Sequence, residues 1–128
     1  VERRGVPRHP RDLAGHDCLV FLPGGPVWPF QSPRGPLNVN VRPKFGATDS
    51  FSLLSAAQAG NGITFITKFI AAPALERGEL VQVLKRFPVA KRWVKVMVPE
   101  SRVRLARIQA LMKWLKAEFA PRPPWERR

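Results

Sequence analysis

The run Thr48-Asp49-Ser50 and the isolated hydroxyl of Thr67 are the residues whose types and spacing could do chemistry in this chain. Hydroxyls beside a helix start can hold a ligand by hydrogen bonds. The unpaired N–H groups of a first helical turn favour a carboxylate or another anion. Other chemistries find little footing. Asp49 and the Glu76/Glu79 pair have no partner at the spacing that paired-carboxylate acid–base work uses. His9 and His16 stand without a cysteine or acid cluster at ligand spacing, so a zinc site built on them lacks its third ligand. No GxGxxG, P-loop, HExxH or GxSxG pattern occurs. Cys18 is the single cysteine; its place in the apolar run Cys18–Phe21 reads as a buried strand residue in a reducing compartment. The inventory argues for no catalytic residue, no cofactor and no metal.

Those hydroxyls are positioned by the stretch Ala47–Thr67. Asp49 or Ser50 can cap a helix of about ten residues, because a short oxygen side chain accepts a bond from a first-turn N–H. Phe51, Leu54 and Ala57, with Leu53 beside them, predict its apolar face. Gly60 and Gly62 can take the positive φ that ends a helix. Ile63-Thr64-Phe65-Ile66 then reads as a short strand covered on both faces. With Val39–Phe45 as the strand upstream, the stretch is a β-α-β unit with a right-handed crossover. Ligand sites in open α/β sheets gather at such strand-to-helix turns.

The remaining chain supplies further elements. A turn of helix is expected at Arg11–Ala14 with Leu13 as its anchor, followed by a strand at Cys18–Leu22. The sequence from Pro23 to Pro36 is rich in Pro and Gly and reads as irregular. Within it, Trp28 and Phe30 either stack on bases or a ligand ring or clamp the loop to the sheet, and the clamp is the favoured reading. Leu37–Val41 alternates like an edge strand that Pro43 breaks. Residues 68–78 read as helical turns interrupted or restarted at Pro73 and closed by Gly78. Leu80–Leu84 and Trp93–Val98 read as strands. Ser101 is the expected cap of a last helix, Arg102–Phe119, whose Ile108, Leu111, Met112, Leu115 and Phe119 form one stripe. The proline-rich residues 120–128 are expected to be a mobile tail.

At 128 residues the chain is one domain or part of one, and its opening on Val1 is expected of a piece of something longer. No apolar run approaches the ~20 residues of a membrane helix, and no apolar segment follows the first arginines as in a signal peptide. The net charge is +13, and residues 91–128 supply +8 of it with eleven bases against three acids. Such an excess suits a basic nucleic-acid-binding module without sequence specificity, provided cations and aromatics interleave on one surface. The blander reading of the excess is a solvated basic helix face and tail.

Taken together, several features in order resemble a known family: the run from Pro7 to Phe21 (PRHPRDLAGHDCLVF), Trp28–Phe30, Asp49 ahead of LLSAAQAGNGI at 53–63, APALERGELVQVL at 72–84, and a strand–Pro–basic helix ending over 94–119. The set resembles the C-terminal part of the effector (substrate)-binding domain of LysR-type transcriptional regulators, across nearly all of residues 6–119. The resemblance implies an α/β fold, one lobe of a periplasmic-binding-protein-like (type 2) architecture with a mixed sheet flanked by helices. It implies that residues 1–98 form a second lobe incomplete at its N-terminus, and that the helix in 99–119 packs on a first lobe outside this chain. A small-molecule inducer, a carboxylate or other anion among the options, is implied in the cleft between lobes. Promoter DNA is implied as a partner only through an absent helix-turn-helix domain. A homo-oligomer, a cytoplasmic location and no membrane complete that picture. Carried over position by position, the effector contacts fall on Thr48, Asp49, Ser50 and Phe51, then on Phe65, Ile66 and Thr67. Ile66-Thr67 stands where many relatives have Leu-Pro, which adds a hydroxyl. A periplasmic solute-binding protein of the same fold is a further reading, against which the lack of a signal peptide counts.

Overall fold

The structure is a computed structural model describing residues 5–90, 94–121 and 123. These divide into two compact units, the first holding residues 5–90 and the second 94–121 and 123. In the first unit, β1 (Cys18–Phe21) is the centre of a three-stranded sheet, flanked by β4 (Pro43–Ala47) and β5 (Ile63–Thr64). Both neighbours run parallel to it, with Phe21 opposite Ala47 and Leu19 opposite Thr64. A second sheet is the antiparallel hairpin of β2 (Val27–Ser32) and β3 (Gly35–Asn40). Helix α1 (Ser50–Gln58) carries the chain from β4 across β1 to β5, and α2 (Lys68–Glu76) packs along α1.

Period-2 alternation along β1 divides the core between two faces. Cys18 and Val20 join Leu13, Trp28, Phe30, Val39 and Val41 on the hairpin side. Leu19 points the other way, into a cluster with Leu53 and Ala57 of α1. Leu13 is fully buried at the 3-10 turn Pro10–Gly15, the anchor its sequence position predicts. Cys18 is buried, and desolvation, then the Asp17 charge, push its thiol up to about 11, so the sulfur is held as an unreactive thiol.

Both helices stop as their glycines dictate. Gly60 has φ +76, with Asn61 N–H bonded to Ala56 O and Gly60 N–H to Ala57 O, which together satisfy the last-turn carbonyls. Gly78 repeats the arrangement after α2, and Pro73 is accommodated inside that helix. Gly62 answers a different need. A Cβ there would collide with the carbonyl oxygen of Asp17, which accepts the Ile63 N–H at 2.8 Å. That close approach sets the register of β5.

Several expectations are corrected. Val39–Phe45 is not one strand: β3 ends at Asn40, and from Pro43 the chain joins the other sheet. Pro43 has no N–H to continue the hairpin ladder, and it stands at the first position of a sheet-edge strand, where that loss is harmless. Trp28 and Phe30 lie in a regular strand, buried. Leu80–Leu84 forms no strand, because its alternation meets no neighbouring strand; Leu80 and Leu84 instead anchor singly against the two clusters. The expected strand at Trp93–Val98 begins on a residue outside the described set, and 94–98 are irregular.

Ser101 lies inside a 3-10 turn, Glu100–Arg102, and does not cap the last helix; α3 starts later, at Ala106, and runs to Phe119. Leu105 precedes it without a side-chain cap, while the Gln109 side-chain amide donates back to the Val103 carbonyl. No residue of α3 is buried. Most of 120–128 lies outside the described residues.

Truncating Leu53 to Ala leaves a cavity under α1 and should cost about 2–5 kcal/mol in urea unfolding. Gly62→Ala should destabilise more than Gly60→Ala. At Gly60 a Cβ meets open space and only the left-handed backbone cost of about 1–2 kcal/mol applies.

Candidate functional site

Because β4, β1 and β5 are parallel, their carboxyl ends share one edge of the sheet. The β4–α1 turn carrying Thr48, Asp49 and Ser50 opens there, as does the β5–α2 segment ending at Thr67. The crossover through α1 thus brings two stretches distant in sequence to the same edge, where sites of open α/β sheets form. Thr48 and Asp49 are exposed and Ser50 is half-buried, so the first turn faces solvent.

Asp49 is the N-cap of α1. Its Oδ1 accepts the Ser52 N–H at 2.8 Å and its Oδ2 the Ser52 hydroxyl at 2.7 Å. The Ser52 hydroxyl, then the Ser52 N–H, hold its carboxyl below the usual range. Phe51 is 68% exposed and not on the packed face. At 100° per residue Leu53, Ala56 and Ala57 share the inner face, and Phe51 lies about 200° from Leu53.

The second segment is divided. Phe65 stacks on Trp28 with ring centroids 5.8 Å apart and meets Phe30 edge-on at 6.5 Å, within the hairpin-side cluster. Ile66 packs into the opposite cluster beneath α1. Thr67 is exposed and is the N-cap of α2, yet its side chain makes no capping bond. Its carbonyl accepts from the N–H groups of Ile70 and Ala71. One helix start at this edge is therefore closed by a carboxylate, while the other has an open hydroxyl followed by the exposed Lys68.

The relative placement of α1 and α2 is fixed at their far ends. Glu79 accepts from Arg77 Nε at 2.6 Å, Arg77 Nη2 at 2.9 Å and Gln58 Nε2 at 2.6 Å. Arg77 first, and Gln58 second, hold that carboxyl below its usual value.

Two apolar residues at this edge escape a reading by motif. Leu22, 55% exposed, follows the central strand, and its Cδ2 lies 2.6 Å from where a Cβ on Gly46 would stand. Phe69, 47% exposed, is in the first turn of α2. In the sequence Leu22 reads only as the last residue of the expected strand Cys18–Leu22, whereas the observed strand ends at Phe21. A surface depression of about 250 Å³ lies elsewhere, lined by Leu19, Lys44, Phe45, Ala56 and Asn61. Among the described residues no three His, Cys, Asp or Glu gather as metal ligands, and no helix is long and apolar enough to cross a membrane.

Residues 2–120 match the family described as the LysR substrate binding domain. The chain belongs to that family. This LysR domain is 30% identical over 104 residues to an HTH-type transcriptional regulator of Haemophilus influenzae, covering 80% of this chain and 36% of that protein. With the LysR family substrate binding domain-containing protein YagP of Escherichia coli it shares 28% identity over 105 residues, covering 79% and 77% of the two chains. Full-length AphB, a virulence activator of Vibrio cholerae and a member of the LTTR family, is similar in structure. Its TM-score is 0.64 at 28% identity, over 70% of this chain and 31% of that one. The regulatory domain of CrgA, a LysR-type transcriptional regulator of Neisseria meningitidis, gives 0.73 over 91% and 59%; its 21% identity bears on the fold alone. The mixed α/β architecture is thus that of LysR regulatory domains, the type 2 periplasmic-binding-like fold. The relatives are transcriptional regulators rather than enzymes. The LysR domain spans 28% to 40% of the length of the first regulators it matches. A general nucleic-acid-binding module finds no support here. The family match and the relatives point to LysR regulators instead, and of the described tryptophans Trp28 is buried while Trp114, on α3, is exposed.

Asp49 has a folded pKa below its ordinary 3.8, so its cap stabilises above that value, and the contribution is lost as pH falls through the folded one. Asp49→Asn keeps an acceptor without the titration. Between neutral and about pH 2 its melting temperature should fall less than that of the parent protein.

Proposed function

We propose that this chain is the effector-sensing part of a bacterial LysR-type transcriptional regulator. A small-molecule inducer docks at the carboxyl edge of the β4-β1-β5 sheet, against the turns at 48–51 and 65–67. The observation that carries this reading is the parallel order of the three strands, which sets Thr48, Ser50 and Thr67 along one solvent-facing edge. Membership of the family supports it. A second α/β lobe, outside this chain, closes the other side of the cleft and covers the Ile108–Phe119 stripe of α3. Promoter DNA is bound by a helix-turn-helix domain that is also outside this chain. The regulator works as a homo-oligomer in the cytoplasm.

Within the site the two turns have different tasks. Asp49 already places negative charge on the start of α1 and occupies the Ser52 donors, so a carboxylate is disfavoured there. An inducer carboxylate, or another anionic group, docks at the start of α2 instead, where Thr67 provides a free hydroxyl and Lys68 a nearby cation. Phe65 and Ile66 set the position of Thr67 from below, each held in one of the two core clusters. Phe51, Leu22 and Phe69 provide apolar contact for the body of the solute.

The reading is tested by titrating a panel of small organic acids into the ¹⁵N-labelled protein. Amide shifts should concentrate at 48–51 and 67–69. Thr67→Val should weaken the binding acid roughly tenfold, the loss of about one charge-assisted hydrogen bond. Binding acids that shift only amides remote from both turns, or that bind Thr67→Val as well as the parent, would refute the assignment.

A further inference from the structure

We infer that a second anion site, of the phosphate class, lies in the first unit where residues 7–8 meet 84–86. A depression of about 400 Å³ is lined there by Pro7, Arg8, Leu84, Lys85 and Arg86. Three of these five side chains are cations and none is an acid. The ion pairs formed among the described residues, Lys44–Asp17 and Arg77–Glu79, draw on none of the three. Asp12 is the nearest acid in sequence, and its Oδ2 is bonded to the backbone N–H groups of Arg8 at 2.9 Å and His9 at 2.8 Å. It fixes the Arg8 backbone and is not paired with the Arg8 guanidinium.

The two walls are held together by the fold. His9 meets Phe87 edge-on, with ring centroids 4.9 Å apart. The Phe87 N–H bonds the Leu84 carbonyl at 2.9 Å, closing a turn that presents Lys85 and Arg86. The Gln31 N–H bonds the Pro88 carbonyl at 2.7 Å and ties that turn to strand β2. Leu84 sits at φ +56, the one positive-φ residue other than glycine among the described residues. A side chain held in that conformation is costly, and such outliers gather at sites that bind. Convergent unpaired cations repel one another; an anion carrying two charges relieves that repulsion and accepts bidentate bonds from arginine.

Isothermal titration at fixed ionic strength with inorganic phosphate and, separately, glycerol 3-phosphate tests the site and tells free phosphate from a phosphate ester. At least one should saturate a single site at or below about 1 mM. Lys85→Gln/Arg86→Gln should weaken it roughly tenfold or more. Arg8→Gln, on the facing wall, should weaken the same ligand and decides the matter if the double variant does not fold. Thr67→Val should leave it unchanged. No saturation by either ligand, undiminished binding in the cation variants, or loss in Thr67→Val would each overturn the proposal; the last would move the anion to the inducer site.

Discussion

Everything at the candidate site depends on β1 pairing in parallel with a strand on each side. Parallel neighbours cannot be joined by a tight turn, so the chain must climb over one face of the sheet, and α1 is that climb. The same constraint sends every strand-to-helix turn to one edge. Had either neighbour been antiparallel, Thr48 and Thr67 would have finished at opposite ends of the sheet. The register is secured by small features: the Thr64 hydroxyl on the Leu19 carbonyl at 3.2 Å, and the glycine that lets the start of β5 lie against Asp17.

The sheet is thin, and β5 contributes only two residues to it. Its stability comes from being filled on both sides. Cys18 and Val20 are buried by the hairpin and the 3-10 turn, Leu19 by α1. Phe65 and Ile66 extend that division beyond the last paired residue, one into each cluster. A segment that has stopped being a strand is thus anchored in both clusters, and the exposed Thr67 inherits its position from two partly buried neighbours.

Local signals made the two turns of the candidate site legible in the sequence. A cap residue, a helix stop at glycine and a strand-to-helix turn are set by a few adjacent residues, so Thr48, Asp49, Ser50 and Thr67 could be placed before any coordinates. What failed to read was whatever depends on a distant partner. Leu80–Leu84 has the alternation of a strand, but alternation cannot say whether a neighbouring strand exists. The opposite error hid β2, where three prolines and two glycines close to Trp28 suggested a loop while the antiparallel partner was already present in β3. Helix α1 was located correctly, with its inner face rotated: Phe51 is the larger side chain, yet Leu53 and Ala57 have the phase that meets the sheet. Leu22 reads locally only as the end of a strand; its place beside Gly46 at the sheet edge follows from strand order, which no local pattern encodes.

The unequal caps of the two helices have a directional consequence. A solute long enough to touch both turns, as proposed for the inducer, would meet a fixed negative carboxylate at one end and an open hydroxyl beside a lysine at the other. Reversing it would exchange attraction for repulsion at both ends, so on that proposal a molecule with unlike termini would have a single preferred way round. The polarity of the edge is therefore set by the side chains at the two cap positions, Asp49 on α1 and Thr67 on α2.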